Sequence, residues 1–116
     1  MQLQQMREGE NLIVILNEKR LDAVVAVAFR EEMARLVDEG NKQIVFDMSH
    51  VNFIDSSGLG ALVSVLKYLG DKGRLHICCV SAGVMPVLKL TRMDRVLKLF
   101  ESRSEALNIE ISTTSQ

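Results

Sequence analysis

Few residues of the chain are of types that do chemistry. His50 lies in a turn signal and His76 inside an apolar run, and neither has a Cys, Asp or Glu at metal-ligand spacing. Both read as structural or solvent-facing side chains. The two cysteines are neighbours, Cys78-Cys79. Adjacent side chains on a strand point to opposite faces, a disulfide between adjacent residues is strained, and two ligands do not complete a zinc site. They read as reduced thiols, one or both buried, in a reducing cytosol. Asp47 and Asp55 flank one turn, but an acid/base pair also needs a cleft, which spacing does not supply. GxSxG, HExxH, Walker A and GxGxxG patterns are absent. No catalytic residue, cofactor or metal is therefore expected, and an enzyme would have to assemble its groups from distant positions.

The informative stretch is Asp55-Ser56-Ser57-Gly58-Leu59-Gly60. An apolar strand end stops at an Asp, two hydroxyls follow, then Gly, then an amphipathic run. On residue chemistry alone this is a helix N-cap: Asp55 or Ser56 accepts N–H bonds of the first turn. Two glycines at the start of a helix cost about 1 kcal/mol each against Ala. That cost implies close backbone approach, either by the neighbouring loop or by a partner. Asp22 reads likewise as the N-cap of an earlier helix.

The elements that must position these residues alternate. Gln2–Met6 and Leu12–Leu16 fit a hairpin around a turn at Gly9, and the second is apolar enough to be buried on both faces. Residues 17–22 read as a loop. Ala23 to Glu39 is helical, with Phe29, Met33, Leu36 and Val37 on one side, and Gly40 stops it. Gln43–Asp47 is a strand, and Val51–Ile54 continues in extended form. A second helix is expected from Ser57 to Lys72, with Leu59, Leu62, Val63, Leu66 and Leu69 as its apolar stripe. Leu75–Val80 is a strand, Val84–Thr91 a helix and Val96–Phe100 a strand. Ser102 and Glu105 fit a capping box for a last helix. The order predicts one α/β domain over residues 1–110: a mixed four- to five-stranded sheet with helices packed against it, and a frayed tail at 111–116.

Composition agrees. The chain has 116 residues, 47% hydrophobic and 25% charged but only 4% aromatic, so the core is aliphatic. Net charge is −1, which does not suit a general nucleic-acid or membrane binder. The cluster Lys89, Arg92, Arg95, Lys98 and Arg103 alternates with leucines and reads as a solvated face. No apolar run reaches the length of a membrane span and the N-terminus has no signal-peptide core, so a cytoplasmic protein is expected.

Phe53-Ile-Asp-Ser-Ser-Gly-Leu-Gly60 resembles the signature of anti-sigma factor antagonists of the STAS family, the SpoIIAA and RsbV type. Leu21-Asp22 resembles the family's Leu-Asp element, Ile44–Asp47 the strand leading to the signature, and Leu88–Phe100 the family's C-terminal stretch. The likeness covers about residues 3–107. Many members have Gly two residues before Leu-Asp, where this chain has Lys19.

The resemblance implies a binding module. The unphosphorylated antagonist binds an anti-sigma factor that is also a HATPase-type serine kinase, and so frees a sigma factor. The kinase inactivates the antagonist by phosphorylating a serine of the motif, and a metal-dependent serine phosphatase reverses this. The matching acceptor is Ser56, directly after the Asp, with Ser57 ranked second. Asp22, Asp55, Ser56, Ser57, Gly58 and Leu59 are the expected partner-binding residues. Two other readings stand beside this one: a STAS scaffold or regulatory subunit of a stressosome-type complex or a transporter, and a small α/β enzyme.

Overall fold

In a computed structural model of the chain, residues 1–107 are described. The predicted tail, 111–116, and the last residues of the predicted domain lie outside them. β1 (Leu3–Glu8) and β2 (Asn11–Leu16) form the expected antiparallel hairpin. β3 (Arg20–Leu21) leads into α1 (Ala23–Asp38), then β4 (Gln43–Asp47), β5 (Phe53–Ile54) and α2 (Ser56–Leu69). β6 (Arg74–Cys78), α3 (Met85–Leu90) and β7 (Lys98–Phe100) follow, and residues 103–107 are helical. The main sheet is mixed and five-stranded, in the order β1-β2-β4-β6-β7, with every pairing after the hairpin parallel. The mixed α/β sheet agrees with the four- to five-stranded one expected from the alternation.

β2 and β4 sit centrally, and their apolar residues are buried on both faces. One face, with Leu12, Val14, Ile44, Phe46 and Ile77, packs against α1 and α2 in the main core. The other face, with Ile13, Ile15, Val45 and Cys78, packs with Ala106. Ser102 starts the helical turn there, its Oγ accepting the Glu105 N–H at 3.1 Å. His76 is buried on that side, Nδ1 3.1 Å from the Ala106 carbonyl and its ring against Phe100, so it is a structural histidine.

Three elements depart most from the sequence reading. Residues 17–22 are not all loop: β3 pairs in parallel with β5 as a second, two-residue ribbon. α2 begins at Ser56 and ends at Leu69, because Gly70 takes φ +65° and turns the chain into a short 3₁₀ segment. Its buried stripe is Gly58, Ala61, Leu62, Val65 and Leu69 rather than one running through Leu59 and Leu66. Small residues let the helix sit close, and a reading weighted to large side chains misplaces the stripe. Finally, β6 stops at Cys78 rather than Val80, because Cys79 takes a left-handed φ of +62°.

Candidate functional site

Two short parallel strands each run straight into a helix cap. β3 ends at Leu21 and Asp22 caps α1; β5 ends at Ile54 and Asp55 caps α2. The Leu21–Ile54 register therefore sets the two caps in matching positions at one end of the molecule. Asp22 Oδ1 accepts the Val24 and Val25 N–H groups at 3.2 and 3.3 Å, and Asp55 Oδ1 accepts the Gly58 N–H at 3.0 Å. The Val25 N–H, above all, holds the Asp22 carboxyl below its ordinary range, helped by Arg20 and the Val24 N–H. Both N-cap assignments made from sequence hold.

Ser56 and Ser57 occupy the first two positions of α2, and both are exposed. N–H groups of a first helical turn have no intrahelical acceptor, and the helix dipole makes this end partly positive. An anion on either hydroxyl would meet a favourable field from the helix and an unfavourable one from Asp55. Leu59 is half-buried and its N–H bonds the Asp55 carbonyl, closing the first turn.

The two glycines do different work. A Cβ on Gly58 would lie 2.2 Å from the Leu21 carbonyl oxygen and 2.7 Å from Ile54 Cγ1, so this position must be bare for α2 to seat against the ribbon. A Cβ on Gly60 would meet nothing within 4 Å. Gly60→Ala is therefore expected to raise stability by up to about 1 kcal/mol, seen as a higher denaturant midpoint.

Lys19 needs no left-handed backbone: it is not among the non-glycine residues with positive φ, and its carbonyl accepts the Asn52 and Phe53 N–H groups at 2.8 and 3.2 Å. The far side of the ribbon is braced by Ser81, whose Oγ donates to the Val51 carbonyl at 2.8 Å.

Three residues beside this site were not singled out from sequence. The Arg20 guanidinium lies 3.8 Å over the Phe53 ring while its Nε reaches Asp22 at 3.2 Å. Phe53 is 36% exposed and Val24, in the first turn of α1, is 85% exposed. The available signal was the surplus of valines at the start of α1: Val24 and Val27 repeat at i, i+3 off the buried stripe.

The remaining candidates fall elsewhere. Asp47 and Asp55 are engaged separately. Asp55 is a cap, whereas Asp47 is buried and held by Arg103 Nε and Nη2 at 3.3 and 2.7 Å and by the Ser49 N–H at 2.8 Å. Burial pushes the Asp47 carboxyl up, but the Arg103 and Ser49 bonds outweigh it and leave it below the ordinary range. Arg103 thus leaves the basic cluster; Lys89, Arg92, Arg95 and Lys98 are exposed. The leucines between them do not simply alternate: Leu88 and Leu97 are buried, Leu99 is half-buried, and Leu90 is 86% exposed. His50 is exposed in its turn.

A carboxyl held below its unfolded value stabilises the fold above that value and loses its contribution as pH falls through the folded one. Stability is expected to drop below about pH 4 as Asp47 takes a proton. Arg103→Gln, which strands a buried carboxylate beside a partly solvated position, should cost about 2 kcal/mol at neutral pH and flatten that acid limb. Urea midpoints measured between neutral and acid pH check both statements.

The fold is a mixed α/β domain with two serines exposed at an Asp-capped helix start. Residues 4–106 match the STAS domain model, and the chain belongs to the STAS domain family. A Thermotoga neapolitana protein provisionally named an anti-sigma factor antagonist is 29% identical over 100 residues, covering 84% of this chain and 88% of that one. The anti-sigma F factor antagonist of Paenibacillus polymyxa is 24% identical over 105 residues, covering 89% and 90%. The crystal structure of a Thermotoga maritima relative superposes with a TM-score of 0.81 at 28% identity, covering 91% of this chain and 92% of that one. Unphosphorylated SpoIIAA, an anti-sigma factor antagonist, shares the fold with a TM-score of 0.69 at 18% identity, covering 96% and 98%. The relatives' names support an anti-sigma factor antagonist role. Among the described residues no helix is long and apolar enough to cross a membrane.

Proposed function

We propose that this chain is a cytoplasmic, phosphorylation-switched anti-sigma factor antagonist and not an enzyme. Unphosphorylated, it docks an anti-sigma factor that is also a HATPase-type serine kinase and releases a sigma factor. Phosphorylation of Ser56 turns it off, and a metal-dependent serine phosphatase restores it. The observation that carries this reading is the placement of Ser56: exposed, first in α2, next to its capping Asp55. That SpoIIAA has been solved in both unphosphorylated and phosphorylated forms supports it by likeness of fold.

The docking face in this reading comprises Asp22, Asp55, Ser56, Ser57, Gly58 and Leu59, flanked by Val24 and the Arg20–Phe53 pair. An exposed Val and a partly exposed aromatic supply apolar contact, and the caps supply polar registration. Ser57 is the second acceptor candidate: it shares the helix end but stands one residue further from the Asp55 carboxylate. A phosphate adds about −1.5 to −2 charges. At a helix N-terminus it leaves the fold intact, so inactivation lies in the interface, where the dianion is costly to desolvate and repelled by Asp55.

Ser56→Ala removes the acceptor while keeping a neutral surface. It is expected to hold the anti-sigma factor kinase of its own genome whether or not ATP is present, whereas wild type is released on phosphorylation. Failure of the alanine variant to bind at all would mean that the hydroxyl is itself a contact. Part of human prestin is 34% identical over 71 residues, covering 60% of this chain and 9% of prestin, which keeps a transporter-associated STAS scaffold as the second reading. Capture of a transporter subunit instead of the kinase would favour it.

A further inference from the structure

Cys78 and Cys79 do not lie as strand neighbours do. Cys78 closes β6 and is fully buried, while Cys79 is half-buried and takes φ +62°, a conformation uncommon for a residue with a side chain. Its N–H donates to the Phe100 carbonyl at 3.2 Å, which holds the turn. A regular strand would send the two sulphurs to opposite faces. Here both Sγ atoms and an Asp47 carboxylate oxygen lie within 4.8 Å of one another. Asp47 does not complete a metal site, because Arg103 and the Ser49 N–H already hold its oxygens. What remains is a pair of neighbouring thiols, one on a half-buried residue and one on a fully buried one. Burial, and then the neighbouring Cys79 thiol, push the Cys78 thiol up, so the inner sulphur is not the one that peroxide oxidises first.

We propose that Cys78 and Cys79 form a vicinal dithiol that a peroxide oxidises reversibly to an intrachain disulfide. The Cys79 sulphur attacks one peroxide oxygen; the O–O bond breaks, and hydroxide leaves and takes the thiol proton as water. The resulting Cys79 sulfenic acid is attacked by the Cys78 sulphur. An S–S bond forms, the S–O bond breaks, and the Cys78 proton leaves with that oxygen as a second water. Two thiols lose two electrons and peroxide gains them. Adjacent Cα atoms are about 3.8 Å apart, below the usual disulfide span of about 4.4 Å or more, so the bond is strained and readily reduced by thiols.

Cys78 and Cys79 adjoin the loop that leads to β5: the Met48 N–H donates to the Cys78 carbonyl at 3.0 Å. Closing the ring should therefore move the Met48 and Ser81 amide resonances.

The test is intact-mass analysis of the folded full chain after limiting hydrogen peroxide. The expected product is a monomer lighter by two hydrogen atoms, with both cysteines closed to alkylation and reopened by dithiothreitol. Cys79→Ser should leave Cys78 unoxidised, and Cys78→Ala should accumulate a sulfenic acid on Cys79 that dimedone traps. Dimedone adducts, over-oxidised Cys79 or disulfide-linked dimers as the main wild-type products would overturn the proposal. Because the wild-type mass decides it, poor folding of a variant does not obscure the result. None of these readouts involves a partner protein, so the outcome is independent of the docking assignment.

Discussion

Ser56→Asp is expected to weaken binding to the proposed partner, an anti-sigma factor kinase, by about 30-fold while leaving the thermal midpoint almost unchanged. The two halves of that result come from opposite sides of the same residue. Towards the chain, position 56 is the first residue of α2, where a negative side chain is favoured by about 0.3–1 kcal/mol, offset by its neighbour Asp55. In the proposed complex, the same charge would have to be stripped of water in a surface complementary to a neutral hydroxyl. A loss of about 2 kcal/mol there is near 30-fold, and about 3 kcal/mol, for the larger charge of a phosphate, near 150-fold. Isothermal titration against the purified kinase, paired with a thermal melt of each variant, separates the two. A Ser56→Asp chain that binds like wild type contradicts the electrostatic account, and one that melts much earlier contradicts the assignment of the effect to the interface.

The second large effect falls on stability. Gly58→Ala should destabilise the chain by about 2–3 kcal/mol, lowering the melting midpoint by about 10–20 °C. In an open helix the same change would gain up to about 1 kcal/mol. Here the new methyl would sit 2.2 Å from the Leu21 carbonyl oxygen, which belongs to the backbone of β3 and cannot swing aside. α2 must lift off the ribbon, and the matched Asp22 and Asp55 caps separate. Partner binding should fall together with stability, unlike in Ser56→Asp, where it falls alone. The contrast with Gly60→Ala, two residues along the same helix with open space around it, is the internal control. A Gly58→Ala chain as stable as wild type would show that the seating of α2 on β3 is not what this glycine provides.

Much of the scaffold was legible because its signals are local and redundant. The continuous β-branched, apolar run Leu12–Leu16 reads as a strand buried on both faces or nearly so, and each of its residues is buried. Asp22 and Asp55 were readable as caps because an Asp between an apolar strand end and an amphipathic run has a local physical task. The parts that were not legible depend on distance or on single backbone angles. β3 and β5 are two residues each, too short to show a period, yet their pairing aligns the caps. Arg103 looked like one more member of a basic stripe, because its carboxylate partner, Asp47, lies 56 residues earlier. Cys79 looked like a strand residue, since nothing in its type announces a left-handed φ.

Site-mapping of the phosphate transferred from ATP by an anti-sigma factor kinase of the same genome tests the proposed phosphorylation switch at Ser56 most directly. A single phosphoserine at position 56, absent from Ser56→Ala and accompanied by release of the kinase, is the predicted result. Phosphate confined to Ser57, or modification of Ser56 with the complex left intact, would contradict it.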